Sequence, residues 1–214
     1  MNEAETRAEQ AANEPGPRLP DFPSLGEYAV TLAQIVAKTS YLPNPNTVKA
    51  LRGAAFPTVR NSERRITALE NNGIVVGMYD DNTTPRWAML WAHGIPGVAF
   101  PKGRWTFAHV WPSKGDSNAY THLANLAMIP ECFGSLTDKN GPLTGFLRWH
   151  AKSVYGWLPS NVSEPEKPEG YDEIRWNYFP QFDDPKGFIR KQLEAARCKR
   201  SAILRPLMFP EGQS

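Results

Sequence analysis

The sequence predicts an α+β fold, with a small antiparallel sheet set among several helices. Three observations lead there. Segments with a single apolar stripe at helical spacing occur toward both ends of the chain. Short runs rich in Val, Trp, Met and Phe gather in the middle. The twenty Pro and sixteen Gly punctuate these segments without dominating any stretch. At 214 residues the chain exceeds one average domain and falls short of two. With 41% apolar residues it has the material for a core, which excludes a wholly disordered chain.

Taken in order, residues 1–22 read as a disordered tail, without apolar period and closed by Pro15, Gly16, Pro17 and Pro20. An α+β core is expected over 23–160. It opens with a helix from Leu25 to about Lys38, where Tyr28, Leu32, Ile35 and Val36 form one stripe. The segment YLPNPN is a connection, its prolines blocking helix. Thr47 is the expected N-cap of a short helix, Val48–Ala54. Ser62 is the cap expected for another, Glu63–Asn71, ended by Asn72-Gly73.

Two strands follow, Ile74–Asp80 and Arg86–His93, around the polar turn DNTTP, then a loop over Gly94–Gly103. Arg104–Trp111 is a third strand, broken by Pro112, and Leu126–Ile129 a fourth. Helices are expected at ECFGSLTDK and at Pro142–Tyr155. Residues 161–170 form a hydrophilic, Pro-rich linker. It leads to 171–214, made of an aromatic segment, Tyr171–Phe182, and a basic helix from Phe188 to about Leu204.

Several function classes drop out early. No run of eighteen apolar residues exists, so no membrane helix and no membrane partner are expected. The N-terminus is polar and acidic where a secretory signal would be basic and apolar. Cys132 and Cys198 are too few for a disulfide scaffold or a four-cysteine zinc site, and Cys132 reads as a small buried residue. The expected compartment is a reducing cytoplasm. Neither a Gly-x-Gly-x-x-Gly nor a Walker pattern occurs, so no nucleotide or other organic cofactor is expected.

A net charge of +2 is no polyanion signal, yet the charges are uneven. Residues 1–20 hold four acids and two bases. Between Lys186 and Arg205 seven bases stand against Glu194 alone, and Arg60, Arg64 and Arg65 cluster beside Glu63. Such patches suit phosphate contact, and equally a solvated face.

The stretch with chemical content is AHVWPSKGDSNAYTHLANLAMIPECFGSLTDKN, residues 108–140. His109 closes a strand and exits through Val110-Trp111-Pro112. A polar loop containing Lys114-Gly115-Asp116 intervenes, and Asn125-Leu126 opens the next strand, sixteen residues after His109. A helix follows.

Over residues 104–140 the chain resembles the HNH, or His-Me finger, endonuclease superfamily, whose ββα unit has this order of His, loop, Asn and helix. The resemblance implies a metal-dependent endonuclease or nickase acting on DNA. His109 would be the general base, a task suited to an imidazole near neutral pH. Asn125 would be a metal ligand or a brace for the loop that orients His109. Asp138, placed one helical turn beyond Gly134, would be a hard oxygen ligand for Mg or Mn. The chain departs from the family at two ligand positions, which hold Ala108 and Gly134, and it lacks the cysteine pairs of a zinc knuckle.

On this reading Arg104, Lys114, His122 and Arg148 contact DNA near the finger, while Arg190, Lys191, Arg197, Lys199 and Arg200 grip its backbone from the C-terminal helix. Two other readings stay open. One is a non-catalytic DNA-binding protein that keeps the finger as a scaffold. The other is an accessory subunit with a Trp-rich surface, in a homodimer or a larger protein complex. Residue by residue, His109 reads equally as a structural histidine held by a backbone carbonyl, and Asn125 as a turn cap. His93 and His150 read as structural.

Overall fold

A computed structural model describes residues 25–56, 58–60, 68–71, 74–79, 83–96, 104–113, 115–138 and 141–195. They mix helix and strand. The tail, Arg64, Arg65, Lys114 and the bases from Arg197 onward lie outside the described residues. Among the described residues no helix is long and apolar enough to cross a membrane.

The first helix forms over the expected span, but of its expected stripe only Val36 is buried, while Tyr28 and Ile35 are exposed. A 3-10 turn, Leu25–Tyr28, leads into α1, Ala29–Thr39, which buries Ala33, Val36 and Ala37. Helix α2 spans Pro45–Leu51 and starts three residues before the expected position. Its cap is Asn44, whose side-chain oxygen accepts from the Asn46 N–H at 2.9 Å, and Pro45 sits in the first turn, where a missing N–H costs nothing. Thr47 is therefore a buried residue of the helix and not its cap. Arg52, left-handed at φ 60°, ends α2 before Ala54.

Between α1 and α2 the chain is extended and stitches distant segments together. Tyr41 exchanges both backbone hydrogen bonds with Met128, at 2.8 and 3.0 Å. Leu42 donates to the Asn177 carbonyl and accepts from the Phe179 N–H.

Two expected elements prove to be of the other type. Strands β1 (Thr58–Arg60), β2 (Ala68–Asn71) and β3 (Ile74–Tyr79) form one sheet in the order β1-β3-β2, with β1 parallel and β2 antiparallel to β3. So 68–71 is strand where helix was expected. The pairing of Asn71 with Ile74 leaves two linking residues, Asn72-Gly73, a dipeptide that signals a hairpin more strongly than a helix stop. The expected start of that helix, Ser62 and Glu63, lies outside the described residues.

Residues 86–93, expected as strand, belong mostly to helix α3, Thr83–Ala92. Apolar side chains occupy both halves of the apparent alternation, so the run carries no period, and a buried helix and a buried strand then look alike. Ala88, Met89, Leu90, Trp91 and Ala92 are all buried. The Thr-Thr-Pro start, with Pro85 in the first turn, is the helical cue.

The second sheet is the hairpin of β4, Trp105–His109, and β5, Leu126–Pro130, paired antiparallel from Trp105↔Pro130 to His109↔Leu126. It stands as a wall between two apolar clusters. Alternate residues of a strand face opposite ways. Phe107, Leu126 and Met128 join the cluster containing α3, and Ala127 and Ile129 join the one containing α1. Beyond β5 come a 3-10 helix, Glu131–Thr137, and helix α4, Thr144–Tyr155, ended by left-handed Gly156. Cys132 is exposed, not buried, because that 3-10 turn carries it on its outer side.

The C-terminal residues pack on the same clusters. Ile174 and Phe179 are buried in them, as are Ile189 and Leu193 of helix α5, residues 185–195. Gly170, at φ 71°, lets the chain pass against the Val30 side chain, where a Cβ would lie only 2.8 Å from its methyl carbons.

Candidate functional site

The loop between β4 and β5 is built around Asn125. Its side chain is fully buried and makes three hydrogen bonds. The amide oxygen accepts from the Trp111 N–H at 2.8 Å, and the amide nitrogen donates to the carbonyls of Trp111, at 3.3 Å, and Ala119, at 3.1 Å. The Val110 N–H donates to the Asn125 carbonyl at 2.9 Å. One residue at the entry of β5 thus ties down both ends of the loop, and the amide oxygen is directed into the protein. Asp116 adds a local brace, accepting from the N–H groups of Asn118 and Ala119.

His109 ends β4 and is half-buried. Its ring stacks on Tyr120, with centroids 5.0 Å apart and planes 16° from parallel. Nε2 lies 3.0 Å from the Tyr120 carbonyl oxygen. A carbonyl can only accept, so this contact selects the tautomer with the proton on Nε2 and the basic lone pair on Nδ1.

Beside this strand end is a surface cavity of about 310 Å³. Its walls include Ala108 and His109 from β4, Gly134 from the 3-10 helix, Asp138, and Thr144 and Arg148 from α4. Asp138 is exposed and caps the 3-10 helix in extended conformation. A 3-10 helix has three residues per turn, so Gly134 and Asp138 do not share a helix face as an α-helix would have them do. They meet at the cavity because the chain leaves the helix between them. Thr144 and Arg148, four residues apart on α4, do share a face. The Thr144 hydroxyl donates to the Asp138 carbonyl at 2.8 Å, and the Arg148 Nε donates to the Val110 carbonyl at 3.4 Å.

The donors around the cavity decide what it could hold. Among the described residues of its walls Asp138 is the one carboxylate, accompanied by His109 and threonine hydroxyls. Among the described residues no group of three His, Cys, Asp or Glu side chains converges on one point. With one carboxylate, these walls could offer a magnesium ion a single charged oxygen and would leave it most of its waters. The set does not fit an ion enclosed by protein ligands.

The other expected contacts are scattered. His122 is buried, not displayed: its Nδ1 accepts from the Ala124 N–H at 3.2 Å and its ring stacks on Trp157 at 4.4 Å. Burial lowers its pKa to about 4, so it is a neutral capping residue and no phosphate contact. Arg104 is exposed just before β4, and Arg190 and Lys191 are exposed on α5. Lys114, Arg197, Lys199 and Arg200 lie outside the described residues.

His93 and His150 are interior. His93 donates from Nδ1 to the Met89 carbonyl at 2.6 Å and accepts the Asn44 N–H at Nε2. His150 lies between two tyrosine hydroxyls, Tyr171 at 2.8 Å and Tyr178 at 3.2 Å. Burial lowers each of these pKa values to about 4. No protein-family model, curated protein or solved structure matches the chain.

Proposed function

We propose that the chain is an endonuclease or nickase of the His-Me finger type, acting on DNA at the cavity beside β4. One observation carries this reading: His109 and Asp138 line a single cavity together with Ala108 and Gly134, which stand at two ligand positions of that family, while Asn125, the remaining family position, is buried behind it and serves only as a brace. The Asn125 brace supports it, since the loop must be fixed before an imidazole can be aimed.

In this mechanism the Tyr120 carbonyl holds the His109 tautomer, and Nδ1 takes the proton of the attacking water. Asp138 would hold magnesium or manganese together with the substrate phosphate. The ion's chemistry is to offset the charge that develops on the scissile phosphate. Plasmid nicking in magnesium or manganese tests the reading. Wild type should convert supercoiled to open-circular DNA, and His109→Ala should slow this by roughly a hundredfold or more. Equal rates in the two, or no nicking by wild type, would refute it.

A second reading is favoured by a specific observation: the two other family ligand positions offer no donor atom, being Ala108 and Gly134. In that case the finger is a DNA-binding scaffold. Binding would then weaken steeply with salt while no metal supports cleavage.

A further inference from the structure

We infer that Arg148 makes the cavity a phosphate site that works without a divalent cation. This rests on the proposal that the cavity accepts a phosphodiester, and it assigns the residue that grips it.

Arg148 is half-buried on α4, and its guanidinium is held on two sides. Nε donates to the Val110 carbonyl, and the guanidinium carbon lies 5.9 Å from the centroid of the buried Trp111 ring. Both partners belong to the β4 exit that the Asn125 amide fixes. Among the described residues Arg148 has no ion-pair partner. It is nonetheless a wall of the cavity, together with His109 and Asp138.

A planar, permanently charged fork held in place loses little freedom when it takes two oxygens of a phosphate. Two of the three threonine hydroxyls in the described walls are already engaged as donors: Thr137 donates to the Gly134 carbonyl and Thr144 to that of Asp138. Among the described residues of the wall the one opposing charge, Asp138, sits at the exposed end of the 3-10 helix. The charge that two absent ligands would have secured through a metal is thus supplied here by the helix behind the strand.

The test is an NMR titration of the full chain with inorganic phosphate in EDTA at constant ionic strength, with a parallel arm using a short single-stranded oligonucleotide. Wild type should show saturable shifts at Ala108, Gly134 and Asp138. Arg148→Gln should weaken binding about tenfold or more in both arms, and Arg148→Lys by less. Lys38→Gln, on the exposed side of α1 and away from the cavity walls, should bind like wild type.

No saturable shift in wild type, or equal affinity in Arg148→Gln, overturns the inference. If the glutamine variant melts early, the lysine variant decides, because a point charge without the fork must still bind several-fold more weakly. Phosphate binding lost with Arg148 in a protein that never nicks DNA would leave this inference standing and remove the nuclease. Nicking that survives with unchanged phosphate binding in Arg148→Gln would do the reverse.

Discussion

Lowering the pH from 7 to 5 should destabilise this protein severely, through three histidines. His93, His122 and His150 are each 8% exposed or less, and burial holds each pKa at about 4 against an ordinary 6.5. Each also uses a ring nitrogen as an acceptor: His93 from the Asn44 N–H, His122 from the Ala124 N–H, His150 from one of two tyrosine hydroxyls. Protonation would set a donor against an N–H donor at His93 and His122, while the tyrosine hydroxyls around His150 can turn to accept, so that there burial alone opposes the charge.

The unfolded chain takes up protons below pH 6.5 and the folded chain only near 4, so stability is full above 6.5 and falls as the pH drops between those values. At pH 5 the difference amounts to about 2 kcal/mol per histidine, or ~6 kcal/mol together. Whole domains are stable by only about 5–15 kcal/mol. Urea unfolding followed by tryptophan fluorescence at half-unit steps from pH 7.5 to 4.5 measures this directly. Unfolding near pH 5 should take up close to three protons, and His150→Gln should lower that slope by about a third. An unfolding free energy that is level between pH 7 and 5 would show that these rings are neither buried nor neutral, and the reasoning would fail.

The loop brace and the left-handed glycines give further tests. Asn125→Ala removes three buried hydrogen bonds and leaves the Trp111 N–H and the Ala119 carbonyl without them, which should cost about 3 kcal/mol. For a chain of this size that is a fall in Tm of roughly 6–12 °C; a shift under about 2 °C would contradict the brace. Gly156 and Gly170 share positive φ, 64° and 71°, but a Cβ meets nothing at Gly156 and Val30 at Gly170. Gly156→Ala should therefore cost about 1 kcal/mol, and Gly170→Ala clearly more. Val30→Ala should recover part of the Gly170→Ala loss, and additive effects in the double variant would rule out that contact.

The order of amino acids alone specifies the elements whose signals are local. Helices α1 and α4 follow from one apolar stripe, and β4, the polar loop and β5 from strand composition bounded by Pro112 and by the Asn-Leu entry. The chain's order of His109, loop, Asn125 and helix also carried the family resemblance, and through that resemblance Asp138 came to notice. The sequence failed where the local signal was shared. The run over 86–92 is apolar on nearly every face, so its period was silent; its helical cue lay outside the run, in Thr83-Thr84-Pro85, and the fold buries the run in one cluster with Phe56, Phe107 and Leu123. Asn72-Gly73 serves helix ends and hairpins alike, and the pairing of β2 with β3 chose between them.

The site divides in the same way. Spacing could nominate Asn125, but its role as a brace was decided by the three backbone groups that surround its amide. His122 looked like a surface base and is an interior cap, because the ring of Trp157, thirty-five residues on, covers it. Arg148 joins the cavity for a reason no spacing could express. Helix α4 crosses behind a strand end thirty-eight residues earlier, and the Val110 carbonyl reaches its guanidinium. Which side chains share one opening is a long-range property of the folded chain, and patterns of neighbouring residues do not contain it.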